Sequence, residues 1–228
     1  MNSFAPQWQR EQLLLWRDWQ QVSVPMVLFL LVVGLFAIGG GSSTSSGLSS
    51  DNAVTIIWVS FLLAVVLANN ELFQQDFQNG CLEQSFVGGV MPFAVTIASI
   101  AVRGIYLVLA LLIALPVAIL WLGLSSTMLM TTALAMLIAA PAMLLFAAFG
   151  ASLALGSQHG AWIMALIVLP LLLPIMLFGI RASQAADLSA SVSEMATGPF
   201  YLLAAASILA MVFLPIAITY ALRWSLES

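Results

Sequence analysis

The sequence predicts an all-α, polytopic membrane protein with six transmembrane helices, and three observations predict it. Of its 228 residues 63% are apolar and only 6% are charged, with a mean hydropathy of +1.12. Its apolar runs reach the length needed to cross the ~30 Å hydrocarbon core of a bilayer. The five basic and nine acidic residues gather at the ends of those runs and between them, whereas a soluble chain of this length needs a charged exterior. Lipid is therefore the solvent for most of the surface.

Residues 1–23 read as an interfacial amphipathic segment. Trp8, Leu13, Leu14, Leu15, Trp16 and Trp19 mix there with Arg10, Glu11, Arg17 and Asp18, the mixture of a helix lying at headgroup level. A cleaved signal sequence is the poorer reading, because no small-residue cleavage pattern appears and the following apolar run is long enough to stay in the membrane. Residues 24–228 form the six-span domain. The first span, 24–40, opens with Pro25, where a first-turn proline costs little, and stops in Gly39-Gly40-Gly41. A Gly/Ser-rich connection up to Asn52 returns the chain through a second span, 53–69.

A coupling region, 70–103, comes next. Gly88-Gly89 and Pro92 interrupt it, and the charge of Arg103 argues that the third span proper starts at Gly104. Met91–Arg103 is thus expected to be a shallow amphipathic or re-entrant piece. The remaining spans are 104–124, 127–155, 161–180 and 199–222, with a turn at Gly156–Gly160 and a polar loop at Arg181–Gly198. Pro141, Pro170 and Pro174 fall inside the fourth and fifth spans, where each removes a helical hydrogen bond. Kinks are expected at these three positions, with neighbouring helices meeting the freed carbonyls.

Arginine sets the expected orientation, since the sequence has no lysine. With both termini cytoplasmic, Arg10, Arg17, Arg103 and Arg223 lie inside and Arg181 outside, as the positive-inside bias prefers. The coupling region and His159 then face the cytoplasm as well.

Catalytic parts are scarce. One His, one Cys and the absence of acidic clusters inside the spans leave zinc ligation, a disulfide, a Cys–His nucleophile and a buried proton relay without components. No Gly-rich lysine loop cradles a phosphate, so the chain is expected to be no enzyme and to draw any nucleotide energy from another polypeptide. Cys81 reads as a free thiol on the reducing side, and His159, beside Gly160, as a polar turn residue.

The segment Asn70–Gln84 is a polar, acidic island in this hydrocarbon chain. Leu72, Phe73, Phe77 and Gly80 share one helical face, Asn79-Gly80 is a helix stop, and Leu82, Glu83 and Phe86 open a second short turn. A helix, a bend and another short helix could insert into a groove on a separate motor and carry its movement to the spans. Composition alone supports an ordinary solvated loop equally well.

The run Leu72-Phe73-Gln74-Gln75-Asp76-Phe77-Gln78-Asn79-Gly80-Cys81-Leu82-Glu83-Gln84 resembles the cytoplasmic motif of the haem exporter B (CcmB) family, the membrane subunit of the cytochrome c maturation ABC complex. Leu166–Pro170 with Leu173-Pro174 is similar to that family's proline-paired fifth span, and Leu109–Gly123 with Pro116 is a weaker match. The aromatic N-terminal segment, the Gly/Ser-rich first loop and the missing lysines depart from the pattern.

The resemblance implies a permease subunit of the bacterial cytoplasmic (inner) membrane, with the mitochondrial inner membrane as the other setting, working as a homodimer. Its implied partners are an ABC ATPase subunit, a haem-handling membrane subunit, a small single-span subunit and a haem chaperone, with membrane lipid around it and no nucleic acid. ATP would sit on the ATPase and haem on a partner or the chaperone, so no cofactor is expected on this chain. Asp76 and Glu83 are the expected polar contacts to the ATPase, Phe73, Phe77 and Leu82 the apolar anchors, Gly80 the bend, and Gln84 the end of the motif. Arg181–Gly198 and Gly41–Asn52 contain no Trp and the one His faces the cytoplasm, so a tight haem site is not expected here. An ABC permease for another cargo, such as a lipid-linked glycan or drug, and a membrane assembly scaffold without a transport cycle are the alternative functions.

Overall fold

The computed structural model describes residues 20–40, 50–70, 92–154, 160–184 and 193–227. They form six helices: α1 (Gln20–Gly40), α2 (Ser50–Asn70), α3 (Pro92–Leu122), α4 (Ser126–Leu153), α5 (Gly160–Gln184) and α6 (Ser193–Glu227). Each is long and apolar enough to cross a membrane. The expected interfacial segment lies almost wholly outside the described residues, as does the Gly/Ser-rich connection.

α4 is the hub, packing against α2, α3, α5 and α6. Four consecutive residues, Ala142, Met143, Leu144 and Leu145, are buried, which requires protein on every side of the helix. Alanines make that possible: Ala135, Ala139, Ala140, Ala147 and Ala148 are buried and let neighbouring backbones come close. α1 packs against α2 and α3 at the rim and leaves Val27, Leu31, Leu35 and Ile38 exposed. α6 likewise exposes a broad apolar face, from Tyr201 to Tyr220.

α2 buries Val54, Ile57, Trp58, Phe61 and Val65, the spacing of one helical face. Two of its polar side chains bond their own helix, with Ser60 Oγ donating to Ile56 O at 2.7 Å and Asn69 Nδ2 to Val65 O at 2.8 Å. Without such bonds a hydroxyl or amide in hydrocarbon would cost several kcal/mol.

α3 corrects one expectation. No break occurs at Arg103, because Pro92–Leu122 is one continuous 31-residue helix. At 1.5 Å per residue it runs about 46 Å, well beyond the hydrocarbon core. Its apolar window is Ile100–Leu122, so Arg103 sits in the first turn of that window, within snorkelling reach of the headgroups. A charge there marks a depth in the membrane and leaves the helix intact.

The α3–α4 hairpin turns on local chemistry. Gly123 adopts a left-handed φ of +69°, Gly123 N donates to Leu120 O and Leu124 N to Ile119 O, the paired bonds of a Schellman cap. Ser125 then caps α4, its side chain accepting from Met128 N. Helices also reach further into the expected polar loop 181–198 than hydropathy suggests: α5 continues to Gln184 and α6 begins at Ser193, with Pro199 inside it. Polar residues outside the hydrocarbon can prolong a helix that hydropathy has stopped registering.

Candidate functional site

Phe73, Asp76, Phe77, Gly80, Leu82, Glu83 and Gln84 lie outside the described residues, as do Cys81 and His159. What the structure describes is their framing. Residues 71–91 leave the C-terminal end of α2 at Asn70 and enter α3 at Pro92, and the two helices touch. Arg103 stands on α3, half-buried with its Nε shielded, beside Gly104, where an added Cβ would meet Leu144 Cδ1 of α4 at 2.7 Å. The α3–α4 seam is tightly packed at this point.

The helices run through all three singled-out prolines, whose surroundings differ. Pro141 is half-buried in α4, and Ser207 of α6 donates to the Ile138 carbonyl in the turn before it. Pro170 and Pro174 are exposed on α5, so that side of α5 is not enclosed by this chain's own helices.

The opposite end of α2 carries a polar node whose members the sequence reading did not single out as a site. Trp58 is fully buried, and its Nε1 donates to Ser183 Oγ of α5 at 2.9 Å across 125 residues of sequence. Ser183 Oγ in turn donates to Gly179 O at 3.0 Å, so one hydroxyl accepts from the indole and closes back on its own helix. The indole lies on Gly179, where an added Cβ would come within 2.2 Å of the ring. Phe61 meets it edge-on at 5.7 Å.

α4 joins through Thr131 Oγ1, whose one proton is shared between Ser183 O at 3.1 Å and the Met128 and Thr127 carbonyls of its own helix at 3.2 and 3.3 Å, and at the exposed rim Gln184 Nε2 donates to Asp51 Oδ1 at 2.9 Å. Asp51 also stands in the first turn of α2, where its charge suits the helix dipole. Among the described residues no three His, Cys, Asp or Glu side chains come together as a metal site.

This bundle, with a polar acidic segment issuing from one end of α2, can be compared with known proteins. The family model described as "CcmB protein" matches residues 4–225. The chain belongs to the CcmB family. It is 32% identical over 226 residues to the heme exporter protein B of Pseudomonas aeruginosa, covering 98% of each chain. The Haemophilus influenzae protein of the same name is 30% identical over 220 residues, 96% of each. That of Escherichia coli K12 is 30% identical over 168 residues, 74% of this chain and 76% of its own. The CcmB match includes the 71–91 segment and reaches into all six helices.

Proposed function

We propose that this chain is the membrane permease subunit of an ABC complex for c-type cytochrome biogenesis. It would couple ATP hydrolysis by a separate subunit to haem handling and to release of a haem-loaded chaperone. The observation that carries the proposal is end-to-end similarity, over 98% of both chains, to a protein named a heme exporter. The six-helix bundle supports a membrane setting, taken as the bacterial inner membrane with both termini cytoplasmic on the arginine bias.

In this reading the chain is a mechanical coupler and not an enzyme. Phe73, Phe77 and Leu82 anchor the coupling segment in the ATPase, Asp76 and Glu83 meet a basic patch there, and Gly80 provides the bend. Gln84 closes the same contact. Closure of two ATPase subunits on a homodimer pushes the segment, and α2 and α3, which bracket it, carry the displacement into the bundle. Haem is cargo held by the haem-handling subunit or the chaperone. The single-span subunit completes the assembly.

Co-expression with the candidate ATPase, haem-handling subunit, single-span subunit and chaperone tests this. ATP is expected to release the haem-loaded chaperone from the purified complex. ATPase association without any response to the chaperone would point to another cargo, and no ATPase association would leave a scaffold. Separately, the purified chain alone should retain no stoichiometric haem, and a defined axial-ligand spectrum from it would contradict the coupler reading.

A further inference from the structure

We infer that the Trp58–Gly179–Ser183 node, with Asp51–Gln184 at its rim, is a latch between α2 and α5 that must open for movement at the coupling end to reach the opposite face. The inference rests on the coupler reading above and assigns that reading a moving part. Both ends belong to one helix: from Trp58 to Asn70 α2 is a rod of about 18 Å at 1.5 Å per residue, leading straight into the coupling segment.

The contact fits one register only. The indole rests on the backbone of Gly179, where any side chain would strike the ring. One turn away along α5 stand Ile175 and Ser183 in place of the glycine. α2 therefore cannot slide along α5 by degrees, because the ring must leave its seat before it can move. The hydrogen bond adds direction to that seat, since Ser183 Oγ is placed to accept from Trp58 while donating to Gly179 O. Packed contacts of this kind have discrete arrangements, which is what a transmission element needs. Thr131 extends the node to α4, so release would reach the hub helix as well as α5.

The rim pair supplies the test. Asp51→Cys and Gln184→Cys replace two side chains whose polar atoms lie 2.9 Å apart, in a Cys81→Ser parent whose own ATP response sets the baseline. A short, reducible bifunctional thiol reagent then ties α2 to α5 in the assembled complex.

With the tie in place, ATP-driven chaperone release should fall about tenfold or more, the size of an ordinary coupling free energy. It should return on reduction, with ATPase association unchanged throughout. Release at the parent's rate with the tie quantitatively formed would overturn the latch while leaving the coupler standing. A resting complex in which the tie cannot form would overturn it too. A parent without any ATP response would overturn the functional reading, and the latch with it.

Trp58→Phe gives a second measure, keeping a ring on Gly179 but removing the donor. With the latch weakened, less ATP should be hydrolysed per chaperone released, a ratio that a purely structural tryptophan would leave unchanged in the folded fraction. An unchanged ratio would count against the latch.

Discussion

The two ends of α2 differ in how they are held. At the Ser50 end Trp58 and Asp51 reach across to α5, and Thr131 of α4 reaches the same serine's carbonyl. At the Asn70 end the buried Asn69 turns its amide back to Val65 of its own helix. Among the described residues, one end is tied to its neighbours by directional bonds, and at the other the buried amide bonds its own helix just before the chain enters the proposed coupling segment. In the proposed mechanism, a helix tied at one end and led at the other would work as a lever. The difference teaches where substitutions should alter coupling and where they should merely alter stability.

The largest effect is expected on the led side. Phe77→Ala with Glu83→Ala should reduce ATPase co-purification about tenfold or more, because apolar anchors and their charged neighbours dominate such contacts. Undiminished co-purification and release would remove the coupling assignment. On the tied side, Gly179→Leu puts a side chain where the indole lies, and a destabilisation of about 1–3 kcal/mol or more is expected from overpacking. A lowered unfolding temperature in detergent would show it.

Trp58→Phe should be milder, about 1 kcal/mol for the lost bond, since Ser183 Oγ keeps its donation to Gly179 O, again read as a shift in thermal unfolding. Asp51→Asn is expected to change stability by less than about 1 kcal/mol, since the rim is exposed and an amide oxygen can still accept from Gln184. If Asp51→Asn proved more damaging than Trp58→Phe, the weight of the tied end would lie at its rim and not at the indole seat.

Much of the architecture was legible in the sequence because lipid imposes a simple rule. Apolar length reports spans, and six were read where the described residues form six helices long and apolar enough to cross a membrane. The rule reports depth in the membrane, which is why it failed at helix ends. Arg103 registered as a boundary although α3 runs through it from Pro92, and residues 181–198 registered as a loop although α5 and α6 extend into both sides of it. Backbone hydrogen bonding continues where hydropathy stops.

Pro141 and the prolines of α5 looked alike in sequence, yet one is half-buried and the others are exposed. Proline reports a lost bond and not the direction it faces. The Trp58–Ser183 bond was beyond reach for another reason, since its partners lie 125 residues apart. A tryptophan inside an apolar span was the one signal available, because an indole N–H in hydrocarbon requires an acceptor. The proposed coupling segment is the reverse case, read from the charge and pattern of the sequence while residues 71–91 lie outside the described ones.

The most direct measurement of the central claim is ATP-driven release of the haem-loaded chaperone from the assembled complex, compared between the native chain and the Phe77→Ala, Glu83→Ala variant. To separate docking from transmission, the variant is supplied with enough ATPase to restore binding. The account predicts release that requires both ATP and the intact segment, with ATP hydrolysis losing its connection to release in the variant. Equal release from both chains, or release indifferent to ATP, would contradict it.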